Sequence, residues 1–158
     1  MKPRVGVSAC LLGERVRFDG GHKHDPVLTD LLGPRVEFVS VCPEVEVGMG
    51  IPRPPLHLEG ARMVETDSGR DWTDPMNAYA EARVAALDHL DGYVFKSKSP
   101  SCGLAPTRGL FAEAVARRWP DLPMVEERDL QDSALREDFI RRVFAGRTSG
   151  NASESGEE

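Results

Sequence analysis

A single three-layer α/β domain with a mostly parallel, Rossmann-like sheet is the fold class this sequence predicts. Three observations predict it. Strand-like and helix-like segments alternate along most of the chain, the pattern of βα units. The 158 residues fit one domain, and a 40% hydrophobic share is enough for a continuous core. No internal repeat or long low-complexity stretch breaks the alternation before residue 147.

Taken in order, Arg4–Ala9 (RVGVSA) reads as a first buried strand. Asp25-Pro26 then resembles an N-cap with proline at the first helical position, and Val27, Leu28, Leu31 and Leu32 give that short helix an apolar face. Glu37–Val41 (EFVSV) is the second strand. Residues 43–55 are rich in Pro and Gly and read as one long loop. Leu56–Glu59 and Arg62–Glu65 alternate in polarity around Gly60-Ala61, a small hairpin.

Asp74-Pro75 repeats the N-cap and proline signal, opening a helix with Met76, Ala80, Val84 and Leu87 on one face. Gly92–Lys96 (GYVFK) is the next strand. A helix over residues 108–119 follows, which Pro120 stops, and then a last strand at Leu122–Glu126. Leu135, Phe139 and Val143 mark a final helix that Gly146 can end. Residues 1–147 thus form the domain. Residues 148–158 (TSGNASESGEE), small, polar and acidic, are expected to be a disordered tail.

Charge excludes one large class of partners. The formal net charge is −6, and basic residues come in scattered pairs such as Arg117-Arg118 and Arg141-Arg142. No segment has the concentrated Lys and Arg that bind phosphate backbones, so no nucleic-acid partner is expected. The chain shows neither a signal-peptide pattern nor an apolar run long enough to span a bilayer, which points to a cytoplasmic protein without a membrane partner. A monomer is the default expectation.

In a reducing compartment the three cysteines are not expected to form disulfides. On count alone they would be small buried apolar residues. Their positions say otherwise. Cys10 ends VGVSAC, Cys42 ends EFVSVC, and Cys102 follows GYVFKSKSPSC, so each lies at or just beyond the C-terminal end of a strand. In an open parallel sheet those ends share one edge, where ligands bind. Pro43, Pro100 and Gly103 stiffen the loops and let backbone amides approach closely. Thiolates suit zinc as well as iron–sulfur clusters. A zinc site would need a fourth ligand, with His22 and His24 the first candidates and His57 and His89 less well placed.

Four segments, SACLLG at 8–13, VRFDGG at 16–21, CPEVEVGMGIPRP at 42–54 and KSKSPSCG at 96–103, together resemble the TudS-type thiouracil desulfurases. Weaker agreement continues through Gly69–Thr73 and the last strand, so the resemblance covers residues 4 to about 130. It implies a 4Fe–4S cluster on Cys10, Cys42 and Cys102, with the fourth iron unligated by protein. It implies non-redox removal of sulfur from thiouracil or a related thiolated pyrimidine, giving uracil and hydrosulfide. It also implies that Glu44 is catalytic and that Ser101 assists at the substrate. Phe18 stands where the family often has Tyr, and Trp72 where it often has Val.

The chemistry is consistent with those residues. An open iron is a soft Lewis acid suited to a thiocarbonyl sulfur, and no electron need move. Attacking water must lose a proton, which a carboxylate two residues from a cluster ligand is placed to accept. Two other classes fit the cysteines: an iron–sulfur sensor or electron carrier, and a zinc-stabilised domain without catalysis.

Overall fold

The computed structural model describes residues 2–155 apart from 16, 18, 88, 105 and 106, and no side chain beyond residue 145. Its centre is a sheet of β1 (Arg4–Ser8), β2 (Glu37–Val41), β5 (Gly92–Phe95) and β6 (Met124–Glu126), in the order β2-β1-β5-β6. All three pairings are parallel, with Val7 opposite Ser40 on one side and Val94 on the other. The sheet runs outward from β1 in both directions. Its strand order therefore reverses between β1 and β5, and a crevice opens at their C-terminal ends. A separate antiparallel hairpin joins β3 (Leu56–Glu59) to β4 (Arg62–Glu65), as the alternation of polarity predicts.

Side-chain alternation along the strands builds two cores. Val5, Val7 and Val94 face a layer made by Leu28 and Leu32 and by Phe139, Ile140 and Val143 of α4 (Ser133–Ser155). Tyr93, Phe95 and Val41 face α2 (Thr73–Ala86) and α3 (Leu110–Arg118) through Ala80, Val84, Phe111 and Val115. Helices on both faces of a parallel sheet make the three layers, as expected from the sequence. Each fully buried Leu, Val or Phe contributes about 1.5–3 kcal/mol to this arrangement.

Local differences from the sequence reading have plain causes. Pro43–Glu46 is a short helix, α1, within the segment read as loop. Four residues are too few to show a helical period. Helix α2 starts at Thr73 because Asp71 Oδ1 accepts the Thr73 amide at 2.8 Å. Pro75 then falls inside the first turn, where its missing N–H costs nothing. Helix α4 is continuous to Ser155, past Gly146 and into the segment read as a tail. Glycine lowers helix propensity without removing a hydrogen bond, so it need not end a helix.

Gly6 is required by the core. Its partner across the sheet is Tyr93, and a Cβ on residue 6 would lie 2.3 Å from that ring. Tyr93 is fully buried and stacks on Phe95 at 4.1 Å, so it has nowhere to go. Gly6→Ala is expected to destabilise the fold by about 1–3 kcal/mol, the usual cost of overpacking, measured as a lowered midpoint in urea melts.

Candidate active site

The crevice holds a cavity of about 170 Å³ lined by Cys10, Cys42 and Cys102, together with Glu44, Arg53 and Ser101. All five residues assigned to the site from the sequence, Cys10, Cys42, Cys102, Glu44 and Ser101, line it. Cys10 lies in a 3₁₀ turn, Ala9–Leu12, that continues β1. Cys42 follows β2 directly and caps α1, with Pro43 at the first helical position. Its amide donates to Glu46 Oε2 at 3.3 Å, and Glu46 Oε1 accepts from Tyr79 Oη and Arg83 Nε, which ties α1 to α2.

Cys102 stands on the loop between β5 and α3, and the loop is held at three places. Phe111 and Ala112 amides at the start of α3 both donate to the Ser101 carbonyl, and the Leu110 amide donates to that of Pro100. Contact is so close that a Cβ on Gly109 would lie 2.4 Å from the Ser101 carbonyl carbon. At the loop's beginning, Ser97 donates its amide to Glu127 Oε1 at 2.7 Å and its hydroxyl to Oε2 at 2.8 Å. At its end, the Leu104 amide donates to Glu126 Oε2 at 2.8 Å. Inside the loop, Ser99 Oγ accepts the amides of Ser101 and Cys102.

None of the three cysteines is in a disulfide. Burial pushes the Cys10 thiol up to about 11, against the opposing pull of Lys96. Burial likewise raises Cys42, opposed chiefly by the Val45 amide. It pushes Cys102 up to about 12 against the Ser8 and Ser101 hydroxyls. Such thiols become thiolates only beside strong positive charge, and metal coordination supplies it.

Three thiols at one cavity are a donor set for a thiophilic metal centre. Among the described residues no group of three or more His, Cys, Asp or Glu is arranged to hold a single metal ion. A multi-iron cluster makes no such demand, because each cysteine binds a different iron. The histidines stand apart from the cavity. His24 Nε2 pairs with Thr29 Oγ1 and the His22 ring accepts the His24 amide. His57 lies between Thr66 and Glu59, and His89 pairs with Asp91. The donor set therefore fits an iron–sulfur cluster better than a Cys3His zinc site.

Glu44 and Ser101 are hydrogen-bonded to one another. Ser101 Oγ donates to Glu44 Oε2 at 3.1 Å, and Arg53 Nε donates to Glu44 Oε1 at 3.0 Å. Arg53 Nη1 also donates to the Gly50 carbonyl. The Arg53 and Glu44 side chains are only 4% and 12% exposed, so the carboxylate is fixed in a buried ion pair.

The profile of the 2-thiouracil desulfurase family matches residues 5–127. The chain belongs to the 2-thiouracil desulfurase family. The matched span includes all three cysteines, Glu44 and Ser101. A solved structure described as a 4Fe–4S-dependent thiouracil desulfidase, TudS, is similar to this chain with a TM-score of 0.71 and 30% identity, over 87% of this chain and 99% of that one. No curated protein sequence matches the chain. Family and structural relative are both enzymes of thiouracil desulfuration.

Of the two departures from the family pattern, Phe18 lies outside the described residues. Trp72 donates its indole N–H to Glu65 at 2.9 Å and stacks on Arg70, and it does not line the cysteine cavity. Sequence reasoning did not assign Arg53 to the site and missed Ser99, Glu126 and Glu127. Arg53 falls within the CPEVEVGMGIPRP segment, and that was the one available signal for it. The two glutamates end the last strand and carry no motif.

Glu127→Ala would leave the Ser97 amide and hydroxyl without their acceptor, a loss of about 1–3 kcal/mol. Amide hydrogen exchange should accelerate across 97–104, with β2 unchanged.

Proposed function

We propose that this protein is a thiouracil desulfurase that carries a 4Fe–4S cluster on Cys10, Cys42 and Cys102, with Glu44 and Ser101 as its catalytic residues. The substrate is a thiolated pyrimidine. Water replaces its thiocarbonyl sulfur, giving the oxo-pyrimidine and hydrosulfide without net redox change. The observation that carries this reading is the convergence of three thiols with a hydrogen-bonded Glu44–Ser101 pair on one cavity.

When bound, the cluster supplies a thiophilic, Lewis-acidic iron without a protein ligand, suited to sulfur leaving carbon. The protein's own groups handle protons. Glu44 Oε2 takes a proton from water as its oxygen attacks the thiocarbonyl carbon, either directly or across the Ser101 hydroxyl. As the C–S bond breaks, the same carboxyl returns that proton to sulfur, and the remaining hydroxyl proton is released as the carbonyl forms. Arg53 holds the other carboxylate oxygen, so Glu44 turns one edge toward Ser101 and the cavity. Burial on the sheet edge limits competing water.

Anaerobically reconstituted protein is expected to contain about four irons and four sulfides per chain. Cys10→Ala, Cys42→Ala and Cys102→Ala should each lose most of that content by colorimetric assay. Full retention in any one would remove that cysteine from the ligand set.

Glu44→Gln keeps the shape of the side chain and some of its hydrogen bonding. It should retain normal iron and sulfide while hydrosulfide release from 2-thiouracil falls about a hundredfold or more, the scale of acid–base assistance. An unchanged rate would make Glu44 a partner of Arg53 and nothing more.

A further inference from the structure

Among the described residues, four cationic side chains line the cavity: Arg17, Arg53, Lys96 and Lys98. Three have partners within the protein. Arg53 bonds to Glu44 and the Gly50 carbonyl. Lys96 Nζ donates to the Ser97 carbonyl at 2.7 Å and lies 3.6 Å from Glu127. Arg17 pairs with Asp19 at 3.4 Å. Lys98 is different, for it makes no hydrogen bond or ion pair among the described residues.

Its backbone is also unusual. Among the described residues Lys98 is the one non-glycine at positive φ, at 62°. That left-handed conformation is costly for a side chain with a Cβ, and glycine or asparagine would occupy it more easily. Lys98 is exposed and forms no part of the hydrophobic cores, so packing does not explain its presence. Strained backbone of this kind clusters at ligand sites, and here it lies at a cavity wall under a side chain with no partner among the described residues.

We propose that Lys98 binds the substrate, donating from its ammonium to the carbonyl oxygen that a thiouracil carries beside its thiocarbonyl. The assignment rests on the desulfurase reading above. An ammonium has three donors and no acceptor, so it suits the hard carbonyl oxygen, not the ring N–H groups. The soft sulfur is the part of the substrate suited to the thiophilic side of the cavity. With two anchors of opposite chemical preference, the ring has one productive orientation. Lys98 is a specificity-determining residue in this scheme, acting on binding and not on proton transfer.

The test uses full-length, anaerobically reconstituted protein with its iron content verified. Two substrates are compared: 2-thiouracil, and pyrimidine-2-thione, which lacks the exocyclic carbonyl oxygen. Lys98→Met and Lys98→Gly should raise KM for 2-thiouracil about tenfold, the scale of one charged hydrogen bond, with kcat nearly unchanged. KM for pyrimidine-2-thione, or its inhibition constant if it is not turned over, should not move. Lys98→Arg should stay close to wild type.

Two readouts are independent of turnover. Calorimetric binding of uracil should weaken about tenfold in Lys98→Gly and Lys98→Met, on the same argument. Lys98→Gly should also raise the thermal midpoint, since glycine relieves the left-handed backbone. Weaker binding with higher stability is a combination that local damage cannot produce. Equal effects on both thiones, or wild-type KM in Lys98→Gly, overturn the Lys98 assignment alone. A wild-type enzyme with full iron content that releases no hydrosulfide from 2-thiouracil overturns the functional reading and the assignment with it.

Discussion

The docking of the Cys102 loop onto the start of α3 is the constraint on which the site depends. The first amides of α3 have no partner within the helix. They find the Pro100 and Ser101 carbonyls, so the helix end and the loop each satisfy the other's unpaired groups. Gly109 permits the approach, because any side chain there would strike the loop backbone. With α3 packed on the sheet through Phe111 and Val115, the loop inherits the rigidity of the core. Cys102 and Ser101 are thereby placed against β1 and β2, although neither strand is near them in sequence.

The parallel sheet does the rest of the assembly. Because β1 lies between β2 and β5, the C-terminal ends carrying Cys10 and Cys42 are neighbours, and the end of β5 lies on the other side of Cys10. Strand order reverses at that point, so no crossing segment fills the space above it. Glu126 and Glu127, at the end of β6, then brace the loop's two ends from the outer side of the sheet.

Charge within the cavity opposes that of the protein as a whole. The chain carries a net −6, yet among the described residues its cavity is lined by four cationic side chains and one carboxylate, Glu44. That local excess would offset the negative charge of three thiolates in the proposed cluster site and favours an electron-rich ligand. The Arg53–Glu44 pair contributes little net stability, since desolvation of both groups offsets their attraction. Its value is geometric. One carboxylate oxygen is fixed while the other faces Ser101, the orientation that the proton transfer proposed for Glu44 requires.

The sequence by itself determined most of the elements and the residues that carry the chemistry. The short apolar runs of Arg4–Ser8, Glu37–Val41 and Gly92–Phe95 are local signals, so those strands were legible, and so was the placement of a cysteine after each. The motifs around Cys10, Cys42 and Cys102 identified the family resemblance before any contact was known. Only the tertiary structure decided how these pieces meet. The Ser101–Glu44 bond joins residues 57 apart, and the Ser97–Glu127 and Leu104–Glu126 bonds span 30 and 22. No local propensity encodes such pairs, because they form only when separate strands reach the same sheet edge. The same holds for α1, which is too short to show a period, and for Lys98, whose strained backbone and lack of a partner among the described residues become visible only once the loop is folded against the cavity.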